Sequence, residues 1–158
     1  MIVRVAVTED VEQVVRLLER KRQQLQDWEP NFWRKSSSSA AMSQAFLGSV
    51  INDANAVLLI AEENDGVVGC LHFKPTFVPP VYEPKGTTWM VDDFVVPRGR
   101  WLDVGTELLK ELRTRTVENQ DGQLIFPVPV KDEDAGSFFE ANGLNPTTTW
   151  WTVSSNPR

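Results

Sequence analysis

Apolar and polar positions alternate with two different periods along the chain, and the switches between them mark the elements. Ile2 to Val7 is a short β-rich run, after which Thr8 offers a side-chain cap and Glu9 and Asp10 suit a first helical turn. Val11, Val14, Val15, Leu18 and, after one break, Leu25 then recur at helical spacing, with a polar opposite face. Trp28, Pro30, Phe32 and Trp33 form an aromatic, proline-broken connector. The serines from Ser36 to Ser39 start a second helix, for which Met42, Phe46 and Val50 supply an i, i+4 stripe.

The middle of the chain changes to strand-length runs. Ala56 to Ala61 and Gly66 to Phe73 are apolar, and "EENDG" between them is a turn signal of the kind that joins antiparallel strands. Phe77 to Gly86 is proline-rich and irregular, and Thr87 to Val96 reads as a further strand. "PRGRWLDVGTELLKEL" follows as a turn from Arg98 to Leu102. A strong helix then begins at Asp103 or Val104, with the stripe Val104, Leu108, Leu109 and Leu112. Gln123 to Val128 predicts a fifth strand, Asp132 to Asn142 a last helix stopped by Gly143, and Thr147 to Val153 a final strand. The order implies antiparallel pairing in the middle and some parallel pairing near the end. It predicts one α/β (α+β) domain over residues 1–153, a mixed, partly parallel sheet flanked by helices, with a tail at 154–158.

Composition narrows the chemistry. The formal net charge of −6 argues against a general nucleic-acid binder, which depends on basic patches to displace counterions. Cys70 is the only cysteine and His72 the only histidine, so a disulfide within the chain is excluded and zinc sites and Ser-His-Asp hydrolysis lose their usual ligands. The first residues do not read as a signal peptide, and no run approaches the length of a membrane span. A soluble protein of the reducing cytoplasm, with no membrane partner, is the expectation.

A helix that opens after a strand leaves unpaired N–H groups and a partial positive charge, which suits phosphate. Arg98 and Arg100 add charge to that entrance, whereas Asp103 places a carboxylate in it. Asp103 either caps the helix or faces the anion. In the second case, like-charge repulsion would weaken binding by about a hundredfold.

The element order, "DDFVVPRGRWLDVGTELLKEL" and "AGSFFEANGL" resemble the GCN5-related N-acetyltransferases over nearly the whole chain, and "VRVAVTEDVEQVVRLL" suits that family's first strand and helix. The resemblance implies transfer of an acetyl group from acetyl-CoA, as co-substrate, to an amine by direct attack. Arg100 fills the first position of the family's phosphate loop and Gly105 the last. Trp101, Asp103, Val104 and Thr106 complete the loop, while Phe94, Val95 and Val96 match the splayed strand whose backbone N–H groups meet the thioester carbonyl. Asp103 departs from the middle glycine, Asp132 from a coenzyme-contacting asparagine, and Phe139 from the tyrosine that often protonates the leaving thiolate. These departures open an alternative: a binding or regulatory module on the same fold that holds acetyl-CoA weakly or not at all.

Asp92 and Asp93 are the candidate catalytic carboxylates, one of which would hold a cationic amine or take its proton. As neighbours on a strand they are expected to face opposite ways. Trp28, Phe32, Trp33, Phe77, Tyr82 and Trp89 either shape an acceptor pocket or pack in the core. Tyr82 and Ser137 are the substitutes available for the missing acid, and His72 reads as a core or surface histidine ahead of a catalytic base. The resemblance implies a small-molecule or peptide amine as acceptor, and pairing through the final strand offers a route to a homodimer.

Overall fold

The structure is a computed structural model that describes residues 1–64, 66–116 and 122–153. A five-stranded sheet has the order β1 (Ile2–Val5), β2 (Val57–Glu63), β3 (Gly66–Pro75), β4 (Thr88–Val95) and β5 (Gln123–Ile125). Pairing is antiparallel from β1 to β4 and parallel between β4 and β5. Helices α1 (Val11–Trp28) and α2 (Ser39–Ile51) connect β1 to β2; α3 (Thr106–Thr116) crosses from β4 to β5, and α4 (Glu133–Ala141) follows. This is the mixed, partly parallel sheet with flanking helices that the hydrophobic pattern predicts.

Alternation along the strands feeds two cores. Leu58, Ile60 and Cys70 join Val14, Leu18, Leu47 and Val50 on the α1/α2 face. Leu59, Ala61, Leu71 and Phe73 join Val104, Leu108, Leu112 and Phe138 on the α3/α4 face. Burying each such leucine or isoleucine contributes about 1.5–3 kcal/mol, so the two faces rather than any single contact hold the sheet between its helices.

Three local expectations need correction. The first helix is not capped by Thr8: a 3-10 turn spans Thr8–Asp10, and the Asp10 carboxylate accepts the Val7 N–H at 2.8 Å. In α2 the buried stripe is Ser43, Leu47 and Val50, while Met42 and Phe46 stay exposed. Ser43 can line the interior because its hydroxyl donates to Ser39 O at 2.7 Å and accepts from Arg22. The predicted strand at residues 147–153 is not formed, and β5 stops at Ile125, short of Val128. A three-residue β5 offers too little ladder to hold a further strand; Trp150, Trp151 and Val153 are left 75, 92 and 91% exposed. The route to a dimer through that strand loses its strand, and the predicted tail at 154–158 lies outside the described residues. Among the described residues no helix is long and apolar enough to cross a membrane, and no group of three or more His, Cys, Asp or Glu could hold a metal ion.

Candidate active site

The parallel ladder between β4 and β5 ends at Met90 and Ile125, yet β4 continues to Val95. The two strands therefore part beside Val91–Val95, where one edge of β4 has no strand neighbour among the described residues. Phe94 leans toward the α3/α4 face into a ring cluster, with centroids 5.2 Å from Trp101, 5.8 Å from Phe139 and 6.3 Å from Phe126. Val95 turns the other way into the α1/α2 core, and Val96 packs at the edge of the α3/α4 core. Phe139 is buried in this cluster, 4.9 Å from Phe126.

Beyond β4 the chain makes a tight turn in which Arg100 N–H donates to Pro97 O at 3.0 Å. Gly99 takes φ +76, as the third residue of a type II turn requires. A π-helical turn, Trp101–Gly105, then precedes α3; Val104 and Gly105 N–H groups both donate to Arg100 O. Gly105 is fixed by packing. A Cβ there would lie 2.8 Å from Trp101 Cε3 and 3.4 Å from Phe138 Cζ. Trp101 is buried, so it presents backbone rather than its ring to a ligand, and the Thr106 hydroxyl is spent on Leu102 O at 3.0 Å.

Charge at this entrance is arranged inward. Asp103 neither stands free nor points away: its Oδ2 accepts from Arg100 Nε at 2.8 Å and Nη2 at 2.5 Å. Glu63, at the end of β2, grips the same guanidinium through Nη2 at 2.7 Å and Nη1 at 3.1 Å. The Arg100 hydrogen bonds hold both carboxyls below their usual range, and backbone N–H groups of Val104 and Asp103 add to the effect at Asp103. Those two carboxylates in turn push Arg100 further above its ordinary value. Arg98 is exposed and forms no ion pair among the described residues.

On the α1/α2 face, β4 carries a bulge. Cys70 pairs with Val95 and Phe73 with Val91, so three steps along β3 match four along β4. Val91 consequently faces the α3/α4 core and Val95 the opposite one, although four residues separate them. The extra residue brings both acids to one side, correcting the expectation that they face apart. Asp93 stands opposite His72; Asp92 Oδ2 lies 3.7 Å from His72 Nδ1 and 3.4 Å from Lys74 Nζ. Burial holds the Asp93 carboxyl above its usual range, with Arg22 opposing. His72 is 1% exposed, has no hydrogen-bond partner at either ring nitrogen among the described residues, and meets the Phe46 ring edge-on at 5.7 Å. Burial lowers its proton affinity, against the pull of Asp92. Cys70 is fully buried on the same face, and desolvation pushes its thiol well above the usual range.

Asp132 caps α4 by accepting the Ala135 N–H at 3.3 Å and pairs with Lys21 of α1. Tyr82 and Ser137 are exposed. An open cleft of about 430 Å3 runs along α3 to the end of α4, lined by Thr106, Lys110, Arg113 and Asn142. Glu63 and Lys21 escape sequence reasoning. "EENDG" reads only as a turn, and nothing local ties Glu63 to an arginine 37 residues away.

No protein-family model matches the chain. A curated relative, the uncharacterized N-acetyltransferase YhfO of Bacillus subtilis, is 30% identical over 117 residues, 74% of this chain and 76% of that protein. A mutant of the BH1408 protein from Bacillus halodurans shares the fold at a TM-score of 0.80 and 16% identity, covering 98% of this chain and 99% of that one. A predicted acetyltransferase from Clostridium acetobutylicum, solved with acetyl-CoA, does so at 0.70 and 19%, covering 97% and 95%.

Proposed function

The chain belongs to the GCN5-related N-acetyltransferase family, and on that premise we propose that it moves an acetyl group from acetyl-CoA to the amine of a small molecule or peptide by direct attack. The observation that carries the reading is the parting of β4 from β5 beyond Met90 and Ile125, immediately before the turn that opens α3. An opened strand edge supplies backbone N–H groups for a carbonyl that gains negative charge, and a helix entrance receives phosphate beside it. The reaction forms the N–C bond and breaks the C–S bond, so the protein's work is to orient, polarise and remove one proton. Val95 and Val96 backbone at the splay, the turn from Arg100 to Thr106, and the Asp92–Asp93 pair on the acceptor side fill those roles. Lys110 and Arg113 in the α3 cleft add cations for the rest of an anionic co-substrate.

A second reading, a fold that holds the coenzyme weakly or not at all, draws on the clasp of Glu63 and Asp103 around Arg100. Calorimetry with acetyl-CoA on the native chain and on Asp103→Gly separates the two. Binding by the native chain, followed by thiol release with at least one amine of a panel, supports the enzyme reading. No binding by the native chain, rescued in the variant, overturns it. Buried Cys70 contributes no background to the thiol measurement.

A further inference from the structure

We infer that His72 and Asp92 share a proton across the β4 bulge as one unit, Asp92 receiving it from the acceptor amine and His72 storing it inside the sheet. The source of the proton rests on the acetyl-transfer reading; the pairing does not.

A histidine buried to 1% exposure normally has its ring nitrogens satisfied, and here neither is. Packing alone leaves that cost unexplained. Nδ1 lies 3.7 Å from Asp92 Oδ2, beyond hydrogen-bond reach but within one small adjustment of it. The bulge is what aims Asp92 at this ring; without the inserted residue Asp92 would face the α3/α4 side. Asp92 is about one-third exposed at its side chain, so it connects the sealed imidazole to solvent and substrate. The charged groups around the ring are Asp92 and Asp93 of β4, Lys74 of β3 and Asp53 after α2, while Arg22 of α1 faces Asp93. Phe46 of α2 shields the remaining side.

In the step, an N–H bond of the ammonium breaks toward an Asp92 oxygen, and the freed lone pair attacks the thioester carbon. The C–S bond then breaks, and the leaving thiolate takes the second proton from the attacking nitrogen to depart as thiol. The first proton passes from Asp92 to His72 Nδ1, leaving a carboxylate beside an imidazolium. After the product leaves, the proton returns through Asp92 to water. Asp92 is the group that faces the acceptor, and His72, acting through it, is a positioning residue.

His72 is the only histidine, so protein labelled with 13C and 15N histidine gives a single imidazole signal whose titration needs no assignment. Asp92→Asn, on a partly open strand position, should lower the imidazole pKa by about one unit, a tenfold loss of proton affinity. His72→Asn should move the acid limb of the pH–rate profile for thiol release from acetyl-CoA with the best amine of a panel of diamines, aminoglycosides and short peptides. An imidazole titration unmoved by Asp92→Asn overturns the pairing, and a pH profile unmoved in His72→Asn overturns its use. If no amine is acetylated by the native chain, the acetyl-transfer reading and the proton's source fall, while a shifted imidazole still establishes the pair.

Discussion

Glu63 holds Arg100 through two hydrogen bonds, accepting from Nη2 at Oε1 (2.7 Å) and from Nη1 at Oε2 (3.1 Å). Asp103 takes Nε and shares Nη2 with Glu63. On the proposed acetyl-transfer reading, an incoming pyrophosphate would have to replace two carboxylates at one cation, and these acids would then set coenzyme affinity. Glu63→Gln keeps the shape of the contact and removes one charge, and it should tighten acetyl-CoA binding by about threefold to tenfold at low salt. Asp103→Gly should gain about tenfold, and raising ionic strength should shrink both effects. Arg100→Ala should weaken binding more in the Glu63→Gln background than in the native chain. Titration calorimetry at two salt concentrations measures all three; native and Glu63→Gln affinities that coincide at low salt would show that the clasp does not guard the site.

Gly105 is required by aromatic packing. Its missing Cβ would press on Trp101 Cε3 at 2.8 Å, and both Trp101 and Val104 belong to the core under α3. Gly105→Ala should cost about 1–3 kcal/mol in denaturant unfolding, as overpacking of a filled core does. Trp101→Leu combined with Gly105→Ala should recover part of that loss. If the alanine variant unfolds at the native midpoint, the glycine serves ligand approach alone.

These two residues also mark how far the sequence can be read. Arg100 and Gly105 fall at legible loop positions because turn chemistry and helix register are local. Glu63 lies 37 residues from Arg100, and only the pairing of β2 with β3 brings it to the α3 entrance. The β4 bulge was illegible for a related reason. Strand alternation assigns Asp92 and Asp93 to opposite faces, and a register slip against His72 and Phe73 is decided by the partner strand. The α2 stripe erred by a single position because Ser43, a polar residue, is satisfied by Ser39 and Arg22 in the interior.

Asp132 and Lys21 connect the start of α4 to α1 across 111 residues of chain, with side chains 10 and 19% exposed. The aspartate has two tasks: it caps α4 through the Ala135 N–H, and it neutralises Lys21, whose ammonium also lies 5.2 Å from the Trp28 ring centre. Asp132→Asn should keep the cap and lose the pair, whereas Asp132→Ala should lose both and cost about 1 kcal/mol more. A double-mutant cycle of Lys21→Met with Asp132→Asn isolates the pair, with a coupling of about 1–3 kcal/mol expected for a mostly buried contact. Additive effects of the two substitutions would assign Asp132 to capping alone.

Arg4 anchors the first turn before α1, donating to Asp10 Oδ2 at 2.7 Å and Oδ1 at 2.9 Å while its Nε reaches Glu62 of β2 at 2.9 Å. The Arg4 hydrogen bonds are the largest cause holding the Asp10 carboxyl below its usual range, and the Val7 N–H adds to them against the cost of burial. A carboxyl depressed in the folded state binds its proton more readily in the unfolded chain. Its stabilisation is therefore complete above the unfolded value of about 3.9 and disappears as pH falls through the depressed folded value. Asp10→Asn retains an oxygen for the Val7 N–H but removes the charge. It should cost about 1–2 kcal/mol near neutral pH, discounted because the Arg4 half of the pair is one-third open to water. The gap between native and variant should then close on acidification, since the native carboxyl becomes neutral too. Urea unfolding of both chains from neutral pH down to about pH 2 follows it. A gap that stays constant across the range would mean that Asp10 acts through shape and hydrogen bonding, with no contribution from its charge.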